Sequence, residues 1–293
     1  MKENGAFREF RENFKILAAK NSKAVVNTLS NVFTMRLIGN KTHGDLAEIA
    51  LSEFINQFMY NYSSEHVGKN LFRAKKHEED ILVTHELSQE KIPISLKAYG
   101  DGPLQLSTDK AGKLFPTLEQ YANGNPIDAP EALKNLFGFE EFVKLQELNI
   151  LPLLYNETKK QCNIVYFDVE KVFRDTAKIL FVDENEQYDP LSGSVRSSGG
   201  RSHPIFLFLD KEGQYLCEVR YGGKSANALQ RGFWTHTQRA VSYFDSLTNG
   251  WIDYSHNLVL VRLFSLALNS TPTAHEKSCE ILQNDIDLLK VLK

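Results

Sequence analysis

Two β-rich runs stand four residues apart in this chain: DILVTHEL (80–87) and IPISLKAY (92–99), with SQEK (88–91) between them. So short a connection leaves no room for a crossover, so an antiparallel hairpin is expected. GDGP (100–103) supplies a turn signal that closes the second strand. Before the hairpin, Phe7, Phe10, Phe14 and Leu17 recur at helical spacing and predict an amphipathic helix. A second helix is predicted from Thr42 to Tyr60, with Thr42 as its cap and Leu46, Ile49, Phe54, Ile55 and Phe58 as its apolar stripe. After the hairpin, residues 114–149 read as mostly helical, broken by the NGNP loop at 123–126. Strands are predicted at 163–169, 205–210 and 214–221, a partly helical stretch from Ala226 to Asp245, a buried strand at 258–264 and a closing helix over 275–293. The only strongly Gly/Ser-rich loop is DPLSGSVRSSGGRSHP (189–204). No internal repeat is visible. The chain is expected to be α/β of the mixed α+β kind, divided near residue 150 into 1–150 and a more β-rich 151–293.

Composition removes several classes. The 293 residues are 42% hydrophobic and 11% aromatic, enough for a substantial core. A disordered tail, a collagen-like fibre and a disulfide scaffold are therefore excluded. The net charge of −3 gives no sign of nucleic acid, yet it is unevenly spread. Residues 1–41 carry eight bases and three acids (+5), 193–239 carry seven and three (+4), and 114–191 carry seven and fourteen (−7). Such asymmetry suits a polyanion-binding face beside an acidic surface. Cys162, Cys217 and Cys279 are widely spaced, so neither structural zinc nor a disulfide framework is expected. The opening MKENGAFREFRENFK lacks the apolar stretch of a secretory signal, and no apolar run approaches a membrane span. A soluble protein of a reducing compartment is the expectation.

The hairpin carries the chemistry. Side chains alternate along a strand, so Ser95 and Lys97 share a face about 7 Å apart, and the hairpin brings Asp80 beside them. A carboxylate that holds magnesium and a lysine that steadies water or phosphate are what divalent-metal phosphodiester hydrolysis requires. Glu48, four residues after Gly44 on the preceding helix, is a further metal candidate. The spacing from Asp80 to Ser95-Leu96-Lys97 resembles the PD-(D/E)XK nuclease motif, and Gly44–Glu48 resembles that superfamily's first-helix acid. Two departures stand out: Glu79 precedes Asp80 where the family has proline, and Ser95 replaces the middle acid, leaving the metal count open. Without the resemblance, Asp80 and Lys97 also suit an ordinary solvated strand pair. His43, His77 and His85 lack paired metal-ligand spacing and read as ordinary histidines. No GxxxxGK[ST] is present, so nucleoside triphosphate hydrolysis is unsupported.

A second signal is RYGGKSANALQRGFWTHTQR (220–239). A strand ending at Arg220 meets two glycines, which permit close backbone approach, and Lys224, Asn227, Gln230 and Arg231 follow. These side-chain types read base edges and phosphates. Upstream, Arg196 and Arg201 lie in the Gly/Ser loop. The segment 193–239 resembles a recognition segment in the C-terminal part of several Type II restriction endonucleases. A basic solvated turn beside a core Trp234 is the plainer alternative. Asp210 and Glu218-Val219-Arg220 mimic a second acid-and-base motif and are set aside as a decoy.

The resemblance implies a PD-(D/E)XK-like mixed sheet flanked by helices, with catalysis in 1–150 and DNA recognition in 151–293. It further implies a Mg2+-dependent Type II endonuclease acting on double-stranded DNA, in a bacterial or archaeal cytoplasm with a companion methyltransferase. Asp80, Lys97, Ser95 and Glu48 would form the catalytic set, with Asp80 and Glu48 on the metal. A non-catalytic DNA-binding protein is the first alternative, and a protein whose basic loops bind acidic partners the second. The target site and the oligomeric state are not legible.

Overall fold

The computed structural model describes residues 5–35, 43–67, 80–183, 186–188, 195–196, 203–221, 231–267, 284 and 287. They form two compact units: Met1–Asp101, Asn149–Tyr166 and Asp245–Lys293 make unit 1, and Gly102–Leu148 and Phe167–Phe244 make unit 2. The chain passes between them at 101/102, 148/149, 166/167 and 244/245, so each unit draws on both sides of residue 150.

Unit 1 is a mixed sheet with helices on one face. Helices α1 (Gly5–Lys20), α2 (Ser22–Met35) and α3 (His43–Phe58) come first. The α1 stripe is buried as its spacing predicts, with Phe7, Phe10 and Phe14 inside, and Phe10 meets Tyr62 edge-on at 5.4 Å. Strands β1 (Tyr62–His66), β2 (Ile81–His85) and β3 (Lys91–Tyr99) then pair antiparallel in sequence order, including the expected hairpin. Alternation sorts their faces: Ile81, Val83, Ile92, Ile94 and Leu96 join the helix-side core. The next partner of β3 is parallel to it, and a parallel pairing needs a long crossover. Here the crossover runs through unit 2 as β4 (Pro103–Thr108), α4 (Leu114–Ala122), α5 (Pro130–Phe137) and α6 (Glu140–Gln146), before β5 (Asn149–Asn156) pairs with β3. The expected break at 123–126 falls after α4, where Asn123 and Gly124 both take positive φ (44° and 78°). Strand β6 (Gln161–Tyr166) returns antiparallel to β5.

Two expectations change here. GDGP does not simply end the hairpin: Pro103 opens β4, a first-strand position where its missing N–H costs nothing. Residues 258–264 are not a strand but part of a helix over Leu258–Ala267, in which the Leu260 N–H is capped by Asn257 Oδ1 at 3.1 Å.

Unit 2 holds the other sheet, ordered β4, β12 (Gly232–His236), β11 (Tyr215–Arg220), β10 (Ile205–Leu209) and β7 (Lys178–Val182), all antiparallel. Its core is aromatic: Phe137 stacks on Phe173 at 4.2 Å, and Phe208 meets Phe233 edge-on at 5.3 Å. The predicted 205–210 and 214–221 strands are β10 and β11, joined by a turn in which Asp210 Oδ1 accepts the Glu212 and Gln214 N–H groups. Within 226–245, residues 232–236 are strand rather than helix, and α8 (Thr237–Tyr243) follows α7 (Val169–Asp175) in chain order. Gly232 has φ +139°, and a Cβ there would sit 2.0 Å from the Ser107 carbonyl oxygen, so only glycine lets β12 lie this close to β4. The Thr42 cap and most of the predicted 275–293 helix lie outside the described residues. Among the described residues, no helix is long and apolar enough to cross a membrane. Cys162 and Cys217 are free and buried, and burial pushes the Cys162 thiol up to about 12.

Candidate functional site

In unit 1, Asp80 stands at the bend just before β2. Its backbone is fixed on both sides: the N–H donates to the Ile94 carbonyl and the carbonyl accepts the Val67 N–H, each at 2.9 Å. That clamp aims the carboxylate at β3. Asp80 Oδ2 accepts the Ser95 hydroxyl at 2.9 Å and the Leu96 N–H at 2.8 Å, and Lys97 Nζ lies 3.8 Å away. The structure thus brings Asp80, Ser95 and Lys97 together, as the hairpin and its alternation require. All three contacts converge on Oδ2, so among the described residues Oδ1 keeps its capacity as a ligand. The pair is only half-withdrawn from water, with side chains 19% (Asp80) and 25% (Lys97) exposed.

Glu48 comes from α3 and meets β1 one residue before Val67, whose N–H bonds the Asp80 carbonyl. It is buried on α3, and its Oε2 sits 3.0 Å from His66 Nε2 on β1. Glu48, Ser52 and Asn56 recur every four residues and line the α3 face that meets β1. Ser64 donates its hydroxyl to the Ser52 carbonyl at 2.7 Å, and its N–H to Asn56 Oδ1 at 2.7 Å. Glu48 therefore takes part in fastening the helix to the edge strand. His66 had no motif to mark it. The signal was parity: Tyr62, Ser64 and His66 alternate toward the helix.

The metal expectation can be tested on these donors. Among the described residues, no group of three or more His, Cys, Asp or Glu side chains is gathered for a metal ion. Mg2+ nonetheless needs only one or two carboxylates, taking its other ligands from water and substrate phosphate. Asp80 Oδ1 fits that requirement. The Ser95 hydroxyl donates to Asp80 and, being neutral, is a weaker magnesium ligand than the acid it replaces. His85 is buried, with Nδ1 2.8 Å from Ser88 Oγ in the hairpin turn and Nε2 without a hydrogen-bond partner among the described residues. The His43 side chain and His77 lie outside the described residues.

Of the recognition set, Arg201, Lys224, Asn227 and Gln230 lie outside the described residues. Arg196 is in the short strand β9 (Val195–Arg196), which pairs with β8 (Gln187–Tyr188), and its side chain is not described. Arg220 and Arg231 are described in unit 2, and they differ. Arg220 Nε is hydrogen-bonded to the buried Glu218, and its guanidinium lies over Trp234 at 4.4 Å. Arg231 lies over the Tyr221 ring at 5.8 Å, and its Nε is buried without a hydrogen-bond partner.

No family model, no curated protein and no solved structure matches the chain.

Proposed function

We propose that the chain is a sequence-specific, Mg2+-dependent deoxyribonuclease of the Type II restriction class, cutting double-stranded DNA by phosphodiester hydrolysis. The observation that carries this reading is the Asp80–Lys97 pair, clamped through Oδ2 by Ser95 and Leu96 on a mixed sheet flanked by helices. That sheet and its flanking helices suit a PD-(D/E)XK-like catalytic unit.

In this reading, Asp80 would hold the ion while its Oδ2 stays anchored to β3. Glu48 is the second acid of the set, reached from α3. Magnesium, when bound, polarises the phosphoryl oxygen and offsets the charge that grows as water attacks phosphorus. Lys97 is near enough to the same carboxylate to orient that water and to stabilise the oxyanion. The water oxygen bonds to phosphorus and releases a proton to solvent, the opposite P–O bond breaks, and the leaving oxygen takes a proton from solvent. Arg196, Arg201, Lys224, Asn227, Gln230 and Arg231 belong to the recognition side, and Arg220 ends the strand that precedes the 222–230 stretch. A companion methyltransferase would protect host DNA in a bacterial or archaeal cytoplasm.

A digest of unmethylated phage-length DNA tests this. Discrete bands that require magnesium, vanish in EDTA and vanish in Asp80→Ala are expected. A wild-type protein that leaves the DNA intact while binding it would overturn catalysis. That outcome would favour a non-catalytic DNA-binding protein, the reading supported by Ser95 at the position of an acid.

A further inference from the structure

Resting on the DNA-binding reading, we infer that Arg231 is a phosphate site, whereas Arg220 contacts no DNA and instead builds the strand platform beneath it. The two arginines flank the same recognition stretch, and sequence alone treats them alike. The structure separates them by how their charge is met.

The charge of Arg220 is spent inside the unit. Its Nε is bonded to Glu218, which is itself buried on β11, and its guanidinium covers the Trp234 ring at 4.4 Å. Glu218 and Trp234 are register partners on β11 and β12, so the three side chains form one cross-strand cluster. A guanidinium held by a carboxylate on one side and an indole face on the other has little left to offer a ligand.

Arg231 has no such partner. Among the described residues, no carboxylate pairs with its guanidinium, and its Nε is buried without an acceptor. A partly buried cation with an unmet donor is costly, and such exceptions are kept where a ligand completes them. The side chain is nevertheless positioned. Phe206, a core residue of β10, packs on Phe115 at 5.0 Å, Phe115 on Tyr221 at 5.1 Å, and the Arg231 guanidinium lies over Tyr221. On another side, Gly112 leaves room that a side chain would take: a Cβ there would approach Arg231 Nη1 to 3.1 Å. The backbone carbonyl of Arg231 is also tied down, accepting the Asp109 N–H at 3.1 Å and Gln105 Nε2 at 3.2 Å. A preordered guanidinium fork without a counter-charge suits an oxyanion, and on DNA the oxyanion is a backbone phosphate.

The experiment is duplex binding by fluorescence anisotropy, with calcium and with EDTA, for wild type, Arg231→Gln and Arg220→Gln. Glutamine keeps much of the stem, and thermal melts confirm folding. Removing one phosphate contact should reduce the steepness of log K against log salt by about 0.9, equally for duplexes of unrelated sequence. Across a fourfold rise in salt, wild type should then lose about 3.5-fold more affinity than Arg231→Gln. Arg220→Gln should lower the melting temperature and leave the salt slope unchanged. A wild type that binds, with Arg231→Gln matching it in slope and affinity, overturns the phosphate site. So does a slope change in Arg220→Gln equal to that of Arg231→Gln. If wild type binds no duplex, the nuclease reading falls, and inorganic pyrophosphate decides the site by itself. A melting-temperature rise that requires Arg231 upholds it, and one that is the same in Arg231→Gln overturns it.

Discussion

Each unit carries an acid and a base on neighbouring or shared strands, and the two pairs are built to opposite ends. In unit 2, Glu218 is 2% exposed and Arg220 19%, they are directly hydrogen-bonded, and an indole covers the cation. In unit 1, Asp80 and Lys97 are 19% and 25% exposed and 3.8 Å apart, too far for a hydrogen bond. The carboxylate of that pair is fixed by a hydroxyl and a backbone N–H instead of by its cation. A pair closed on itself holds strands together. A carboxylate fixed from behind, with one oxygen uncommitted among the described residues and a lysine nearby, keeps the capacity to take a ligand. The pair that resembles a catalytic motif on β11 is thus the structural one.

The strongest break between the two pairs should appear on removing the acid. Asp80→Ala is expected to lower DNA cleavage at least about 10²–10³-fold, the scale of losing one charge-stabilising group at a reacting centre. Its stability should fall by about 2 kcal/mol, because the buried Ser95 hydroxyl and the Leu96 N–H lose their acceptor. Arg220→Ala should cost more stability and leave cleavage by the folded protein unchanged. Removing the cation from a buried carboxylate costs about 3 kcal/mol, read as a lower midpoint in chemical denaturation. A stable Arg220→Ala would show that the β11 pair is not the structural one.

Ser95→Ala sharpens the comparison further. If Ser95 serves only to hold Asp80 Oδ2, its loss removes one hydrogen bond to a charged group, worth about 1.5 kcal/mol. Cleavage should then fall about tenfold in kcat, with duplex affinity unchanged, since the Leu96 N–H still anchors the carboxylate. Unchanged kcat would assign the anchoring to the backbone donor alone.

How much of this was legible in the sequence depends on the range of the interaction that decides each feature. The hairpin and the meeting of Asp80 with Ser95 and Lys97 follow from a four-residue connection and strand alternation, both local. The same holds for the α1 stripe. The 258–264 run, LVLVRLF, is ambiguous by composition, since a short continuous apolar run fits a buried strand or a buried helix. The deciding contact is non-local in part: Asn257 both caps Leu260 and accepts the Ser30 hydroxyl from α2. The passage of the chain into unit 2 and back between β3 and β5 was not legible, because no periodicity records which strand a later strand will join. Nor was the difference between Arg220 and Arg231. It is set by Glu218 and Trp234 across two strands, and by Gly112, more than one hundred residues upstream in the chain.

A third pair lies between the two extremes and gives the smallest test. Lys171 and Asp175 are one turn apart on α7, 2.8 Å from each other and about one-third exposed. Tyr243 closes the pair: its hydroxyl donates to Asp175 Oδ2 at 2.7 Å, and Lys171 Nζ sits over its ring at 3.3 Å. Burial by itself would raise the Asp175 carboxyl, but the hydrogen bonds from Lys171 and Tyr243 outweigh it and hold the group below its usual range. A lowered carboxylate stabilises the folded state above its unfolded value, near pH 4, and loses that contribution as pH falls through the folded value. Tyr243→Phe keeps the ring under Lys171 and removes only the donor. It should cost about 1 kcal/mol at neutral pH, and the deficit should shrink as pH falls through the lowered folded value of Asp175. Denaturant midpoints at neutral pH and along an acid series measure it. A deficit of equal size throughout would locate the contribution of Tyr243 in packing, and would place this pair with Glu218 and Arg220 as a closed structural unit.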